Sequence, residues 1–131
     1  ARLTKEELKA WFAQRWSASS DPSPLPSLPL CEERCRLLRE LGQTLSVSFG
    51  GSALKFIDGA EGSAVALVRR IAATFPGFRD SSVYRGRQVF FYKRAQIAVA
   101  DLWGAFRHPN APPHLFQFDD IDGLTMFPDY R

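Results

Sequence analysis

Several kinds of residue are scarce in this chain, and each scarcity closes off a class of protein. Of 131 residues only two are cysteine, two histidine and one methionine. Two cysteines cannot build the several bridges of a small secreted domain. Cys31 and Cys35 stand four apart on a predicted helix, a poor geometry for bonding to each other, and read as reduced structural thiols. His108 and His114 lie far away in a proline-rich stretch, so no zinc set assembles and neither metal nor cofactor is expected. No apolar run approaches the roughly 20 residues of a membrane span. Signal-peptide and lipidation patterns are missing as well, so a cytoplasmic (or nuclear) protein with no membrane partner is expected. Charge of one sign is also thin: 17 Lys and Arg against 14 Asp and Glu leave +3. Duplex nucleic acid usually demands a concentrated basic stripe, and no stable nucleic-acid complex is expected here. The cations are mostly arginine, which suits bidentate contact with a small anion.

What is present is mainly helical pattern. The length suffices for one domain with a core. Thr4 with Glu7 forms a capping-box pattern ahead of Leu8, Trp11 and Phe12, whose aromatic rings are expected in the core. Ser17 to Pro29 is broken by proline at every second or third position and is read as a loop or linker. A helix follows from Leu30 to about Ser48, with Leu30, Leu37, Leu38, Leu41 and Leu45 on one side and Glu32, Glu33, Arg36 and Arg39 free to pair in solvent. Gly50-Gly51 ends it. Ser52 to Asp58 is a helical turn or an extended piece. Ser63 caps a helix through Val65, Leu67, Val68, Ile71, Ala72 and Phe75, closed by Pro76-Gly77.

Between Ser81 and Val89 periodicity does not decide between a tiny hairpin across Arg85-Gly86-Arg87 and an irregular loop. Arg85 and Arg87 are more simply a solvated turn than a phosphate clamp. After Phe106, prolines forbid regular structure. Asp119, Asp120 and Asp122 do not match an EF-hand loop, and helix capping explains them better. The expected fold is all-α or nearly so: one helical domain over 1–131, with a Pro/Ser-rich loop at 17–29 and room for one hairpin near 83–90.

The chain is organised around Phe90 to Phe106, FFYKRAQIAVADLWGAF. Ile97, Ala98, Leu102, Ala105 and Phe106 approximate one helix stripe, widened by Val99 and Trp103. Lys93, Gln96 and Ala100 run down a neighbouring face, and Asp101 lies four residues on from Ile97. A cation, an amide and a carboxylate beside so broad an apolar stripe either satisfy one another and nearby backbone or line a pocket. At the other end of the chain, LTMFPDYR puts Pro128 and Asp129 where a new helix would begin, a favourable place for a carboxylate.

Together FYKRAQIAVADLW and LTMFPDYR resemble the queuosine salvage protein family, queuosine 5'-phosphate N-glycosylase/hydrolases related in architecture to the all-α DNA glycosylases. CEERCRLLRELGQTL, FGGS, FPGFRD and YRGRQVFFYKRAQ extend the resemblance in the right order, over roughly Leu30 to Arg131. The resemblance implies hydrolysis of the N-glycosidic bond of queuosine 5'-monophosphate, a small-molecule nucleotide, releasing queuine and ribose 5-phosphate without cofactor. It implies Asp129 as the catalytic carboxylate and Lys93 as its companion. A carboxylate beneath the sugar stabilises the cation that develops at C1' and orients or deprotonates water. A nearby cation keeps that carboxylate ionised. Arg94, Gln96, Asp101, Tyr130 and Arg131 are the substrate-binding candidates, with bracing of neighbouring backbone as the simpler role for Asp101. Tyr130, Trp103 and Phe127 offer faces for a flat base. Pro128 stands where the family pattern suggests a small residue, and family members extend on both sides of this stretch, so the chain reads as the central third of a monomeric enzyme. Two rivals remain open: a DNA- or RNA-glycosylase-like nucleic-acid-binding domain, and a non-enzymatic helical interaction domain.

Overall fold

In the computed structural model residues 3–17, 28–107, 110 and 116–125 are described, with 15–17 as backbone alone. Contacts divide the chain into two compact units, Ala1–Thr44 and Leu45–Arg131.

The first unit holds helix α1 (Lys5–Ser17) and the opening turns of α2 (Cys31–Phe49). The capping box at Thr4 forms in full. Thr4 N donates to Glu7 Oε2 at 2.7 Å, and Glu7 N donates to Thr4 Oγ1 at 3.1 Å. These bonds hold the Glu7 carboxyl below its ordinary pKa. The stretch leading into α1 lies along α2, where the Leu3 carbonyl accepts from Cys35 Sγ and Arg39 Nε, and Lys5 pairs with Glu32 at 3.4 Å. Leu8 and Cys35 are fully buried. Trp11 and Phe12 were expected in the core but are 54% and 47% exposed. Leu3 and Lys5 make hydrogen bonds to α2, and both rings come about two turns after Lys5 in α1.

On the outer side of α2, Arg36 bonds Glu33 at 2.6 Å and Glu40 at 3.4 Å, the three- and four-residue pairing that the spacing predicts. Leu30 is no part of the helix. It precedes α2 at φ 53 and is exposed, as is Leu38, so the leucine side of α2 is narrower than its pattern. Most of the proline-rich 17–29 segment lies outside the described residues; its first residue, Ser17, closes α1.

In the second unit α2 ends at Gly50 and Gly51, both at positive φ, where Gly51 N reaches back to the Leu45 carbonyl at 3.0 Å. Ser52 then caps α3 (Ala53–Asp58), which settles that piece as helix. Ser63 caps α4 (Ala64–Thr74), whose buried residues Ala64, Leu67, Val68, Ile71 and Ala72 repeat every three or four positions. An aromatic row runs beside it: Phe49 meets Phe56 edge-on at 5.1 Å, and Phe56 meets Phe75 at 5.1 Å. The Arg70 guanidinium lies over the Phe49 and Phe56 rings and donates to the Phe56 carbonyl at 2.9 Å.

A short 3-10 turn (Pro76–Phe78) leads to an antiparallel hairpin, β1 (Ser81–Tyr84) and β2 (Arg87–Phe90), with Ser81 opposite Phe90 and Tyr84 opposite Arg87. Arg85 and Gly86, at φ 49 and φ 74, make the two-residue turn with both centres left-handed, whose twist matches the strands. All eight strand residues, Arg87 among them, are exposed, as is Arg85 of the turn, which rests over the Tyr84 ring. Among the described residues the molecule is therefore mostly helical, with one small hairpin.

Helix α5 (Lys93–Ala105) packs on α4. It starts three residues later than the stretch from Phe90 suggests, because Phe90 is spent as the last residue of β2. Its buried side also differs from expectation. Ala95, Gln96, Val99 and Ala100 are buried, whereas Ile97, Ala98 and Leu102 are half-buried and Ala105 is exposed. Small residues bring two helices close together, so the alanine-bearing side, with Gln96 carried along, turns inward and the larger side chains flank it. A second 3-10 turn, Ile121–Gly123, closes over α4.

Candidate functional site

Three of the seven candidates stand on the first turn of α5. Lys93 is its first residue and is exposed, Arg94 follows and Gln96 is 9% exposed. What fixes this turn is remote in sequence. Tyr92 takes left-handed backbone (φ 53, ψ 20) and supplies no side-chain cap. Asp80, at the foot of the hairpin, replaces it: Asp80 Oδ2 accepts from Lys93 N at 2.9 Å, and the Asp80 carbonyl accepts from Phe91 N at 3.1 Å. Arg94 Nη1 donates to the Gly77 carbonyl at 3.0 Å, tying the same turn to the Pro76–Phe78 segment.

Gln96 anchors the turn from within. Its Nε2 donates to the Phe91 carbonyl at 3.3 Å, and its Oε1 accepts from Thr125 Oγ1 at 2.9 Å. A buried amide satisfied at both ends ties α5 to the first residues of the LTMFPDYR motif. Asp101 lies two turns further along α5 and is exposed. Trp103 is half-buried, with the Arg107 guanidinium 4.4 Å from its ring centroid. Asp129, Tyr130 and Arg131, with Phe127 and Pro128, lie outside the described residues.

Beside this turn is a cleft of ≈ 290 Å³ between the second half of α4 and the hairpin's return, lined by Arg69, Ala72, Ala73, Arg79, Phe90 and Tyr92. Phe90 and Tyr92 are stacked at 6.1 Å, and Arg79 is held by the Ala72 and Ala73 carbonyls. Two cations and two aromatic faces suit a planar, anionic molecule better than an apolar one.

The acids at 119–122 act locally. Asp120 Oδ2 accepts from Ser63 Oγ at 2.6 Å and Oδ1 from Ala64 N at 2.6 Å. Burial alone would raise the Asp120 pKa, but bonds from Ser63, Ala64 and Val65 outweigh it and leave the group below its ordinary value. Among the described residues no group of three or more His, Cys, Asp or Glu side chains gathers to hold a metal ion. Asp80, Thr125 and Tyr92 are the site residues that reading the sequence missed. Tyr92 and Thr125 lie within the two motifs without a role read for them, and the signal for Asp80 was FPGFRD, whose aspartate has no periodic relation to Lys93.

The molecule is thus a helical protein with a polar, internally braced helix start beside an Arg- and aromatic-lined cleft. Comparison with known proteins sharpens this. The family model described as queuosine salvage protein matches residues 1–131, and the chain belongs to that family. A protein of Sphaerobacter thermophilus named queuosine 5'-phosphate N-glycosylase/hydrolase is 50% identical over 131 residues, 100% of this chain and 36% of its own length. Proteins of the same name are similar in Dictyostelium discoideum, 45% identical over 130 residues (99% of this chain, 36% of that protein), and in Mus musculus, 42% over 104 residues (79% and 30%). The chain spans about a third of the length of these curated relatives.

Proposed function

We propose that this chain carries the central part of an N-glycosidase that hydrolyses queuosine 5'-monophosphate to queuine and ribose 5-phosphate. The observation that carries the reading is the family match along all 131 residues, with half of them identical in a relative named for that activity. Water adds at C1', the bond from C1' to the base nitrogen breaks, and the proton released by water goes to the departing base through the site's acid–base groups. Asp129 is the carboxylate that faces the sugar cation. Lys93, on the braced first turn of α5, keeps Asp129 ionised or receives the 5'-phosphate. Arg94, Gln96, Asp101, Tyr130 and Arg131 form the surrounding polar shell, with Gln96 acting through the position of its helix. The architecture is proposed to follow the all-α DNA glycosylases, and the enzyme to act as a cytoplasmic monomer on the free nucleotide.

The test is queuine release by a longer protein carrying this segment, incubated with queuosine 5'-monophosphate. Release by the parent and a fall on the order of 10²–10⁴-fold in kcat for a folded, substrate-binding Asp129→Asn variant support the reading. A parent that releases nothing overturns it, and equal release by both removes Asp129 from the chemistry while leaving the enzyme class.

A further inference from the structure

Asp80 does more at the start of α5 than a helix cap requires. A cap needs one side-chain oxygen, and Asn, Ser or Thr supply it as well as Asp does. Here Oδ2 alone meets that need, accepting from Lys93 N at 2.9 Å, while the main-chain carbonyl of the same residue holds Phe91 N at 3.1 Å. The two bonds straddle Tyr92, whose left-handed backbone is unfavourable for a tyrosine and persists only where its surroundings fix it. Asp80 is itself fixed, because the next residue, Ser81, pairs with Phe90 in the hairpin. Its second oxygen, Oδ1, is buried and has no hydrogen-bond partner among the described residues. Leaving a buried carboxylate oxygen unsatisfied is costly, and such a group in a native protein calls for a reason.

We infer that Asp80 is a positioning residue of the Lys93 site, its Oδ2 setting the first turn of α5 and its Oδ1 kept open for a donor that arrives with the assembled substrate complex. The inference rests on the proposed N-glycosidase reading and adds to it a residue outside the two motifs. A hairpin thus becomes part of the site: its closure brings Asp80 and Phe91 together and so determines where Lys93 begins its helix. Matching donors are a hydroxyl of the ribose or an N–H of the base, both present in a nucleoside 5'-monophosphate.

The discriminating variant is Asp80→Asn in the longer protein, beside Asp80→Ala. Asparagine keeps an oxygen for Lys93 N but presents an amide donor where Oδ1 accepts. The expected result for Asp80→Asn is a melting temperature close to the parent's, with kcat for queuosine 5'-monophosphate lowered about tenfold or more. Asp80→Ala is expected to lose both stability and turnover. If Asp80→Asn turns over like the parent while Asp80→Ala is merely less stable, Asp80 is a cap and the inference is overturned. If the parent itself releases no queuine, the N-glycosidase reading fails and takes this inference with it, an outcome visible without any variant.

Discussion

At the scale of single residues, two aspartates secure helices to which they do not belong. Asp80 holds the start of α5 from thirteen residues away, and Asp120 holds the start of α4 from across the second unit. At α4 the arrangement is layered. Ser63 Oγ accepts from Ala66 N at 3.0 Å while donating to Asp120 at 2.6 Å. Replacing Asp120 by Ala strands Ala64 N and the Ser63 hydroxyl, and is expected to cost about 2 kcal/mol, measured as a fall in the urea midpoint. The same carboxylate predicts a pH dependence. Its pKa in the folded protein lies below the ordinary carboxylate value, so its contribution is complete above that ordinary value and is lost as pH falls through the lower folded one. The gap in midpoint between parent and Asp120→Ala should therefore be full at neutral pH and shrink in acid; a gap unchanged at low pH would remove the charge from the account. Capping was legible in the acid run 119–122, since no metal spacing fits it. The partner was not, because nothing in a linear pattern connects Asp120 with Ser63.

At the scale of elements, α4 shows when periodicity suffices. Its buried residues fall at the three- and four-residue steps read from the chain, and Leu67 is 0% exposed at their centre. Leu67→Ala is expected to destabilise by about 3 kcal/mol in a denaturant titration, from lost transfer energy together with the cavity left behind. Helix α5 shows when periodicity misleads. Of the expected stripe only Val99 is fully buried; Ala95, Gln96 and Ala100 beside it turn inward instead of Ile97 and Leu102, since a close neighbour favours small residues over large ones. The hairpin lay beyond periodicity because its strands are exposed on both faces and show no alternation. Its turn offers a clean test. A Cβ at Gly86 meets nothing within 4 Å, so Gly86→Ala should cost about 1 kcal/mol from the left-handed backbone alone, seen as a lower melting temperature without change in the helical circular-dichroism signal.

At the scale of the whole molecule, charge and site lead to one expectation about partners. A net charge of +3 and an Arg-lined cleft suit one small anion. The longer protein is expected to be nearly indifferent to duplex DNA from low to physiological salt, and KM for the nucleotide should change little over the same range. Filter binding and steady-state kinetics in a salt series check both; duplex binding whose affinity falls steeply with salt would favour a nucleic-acid glycosylase instead. Lys93→Met belongs at this scale too, because it joins the braced helix to the proposed carboxylate. The expected loss is on the order of 10²-fold or more in kcat/KM with the melting temperature preserved, since the Lys93 side chain is exposed and its backbone N–H still reaches Asp80.

The amino-acid sequence by itself determined the helical class, the caps at Thr4 and Ser63, the glycine stop of α2 and the family, because each is written in neighbouring residues: a side chain three positions from the amide it bonds, a glycine where φ must turn positive, a motif read in order. Tertiary structure alone decided which side of α5 is buried, that the undecided stretch after Asp80 pairs as strands, and that Asp80 and Thr125 brace the turn bearing Lys93, Arg94 and Gln96. Those outcomes depend on how closely two helices approach and on bonds between residues 13 and 29 positions apart, distances over which local propensity carries no information.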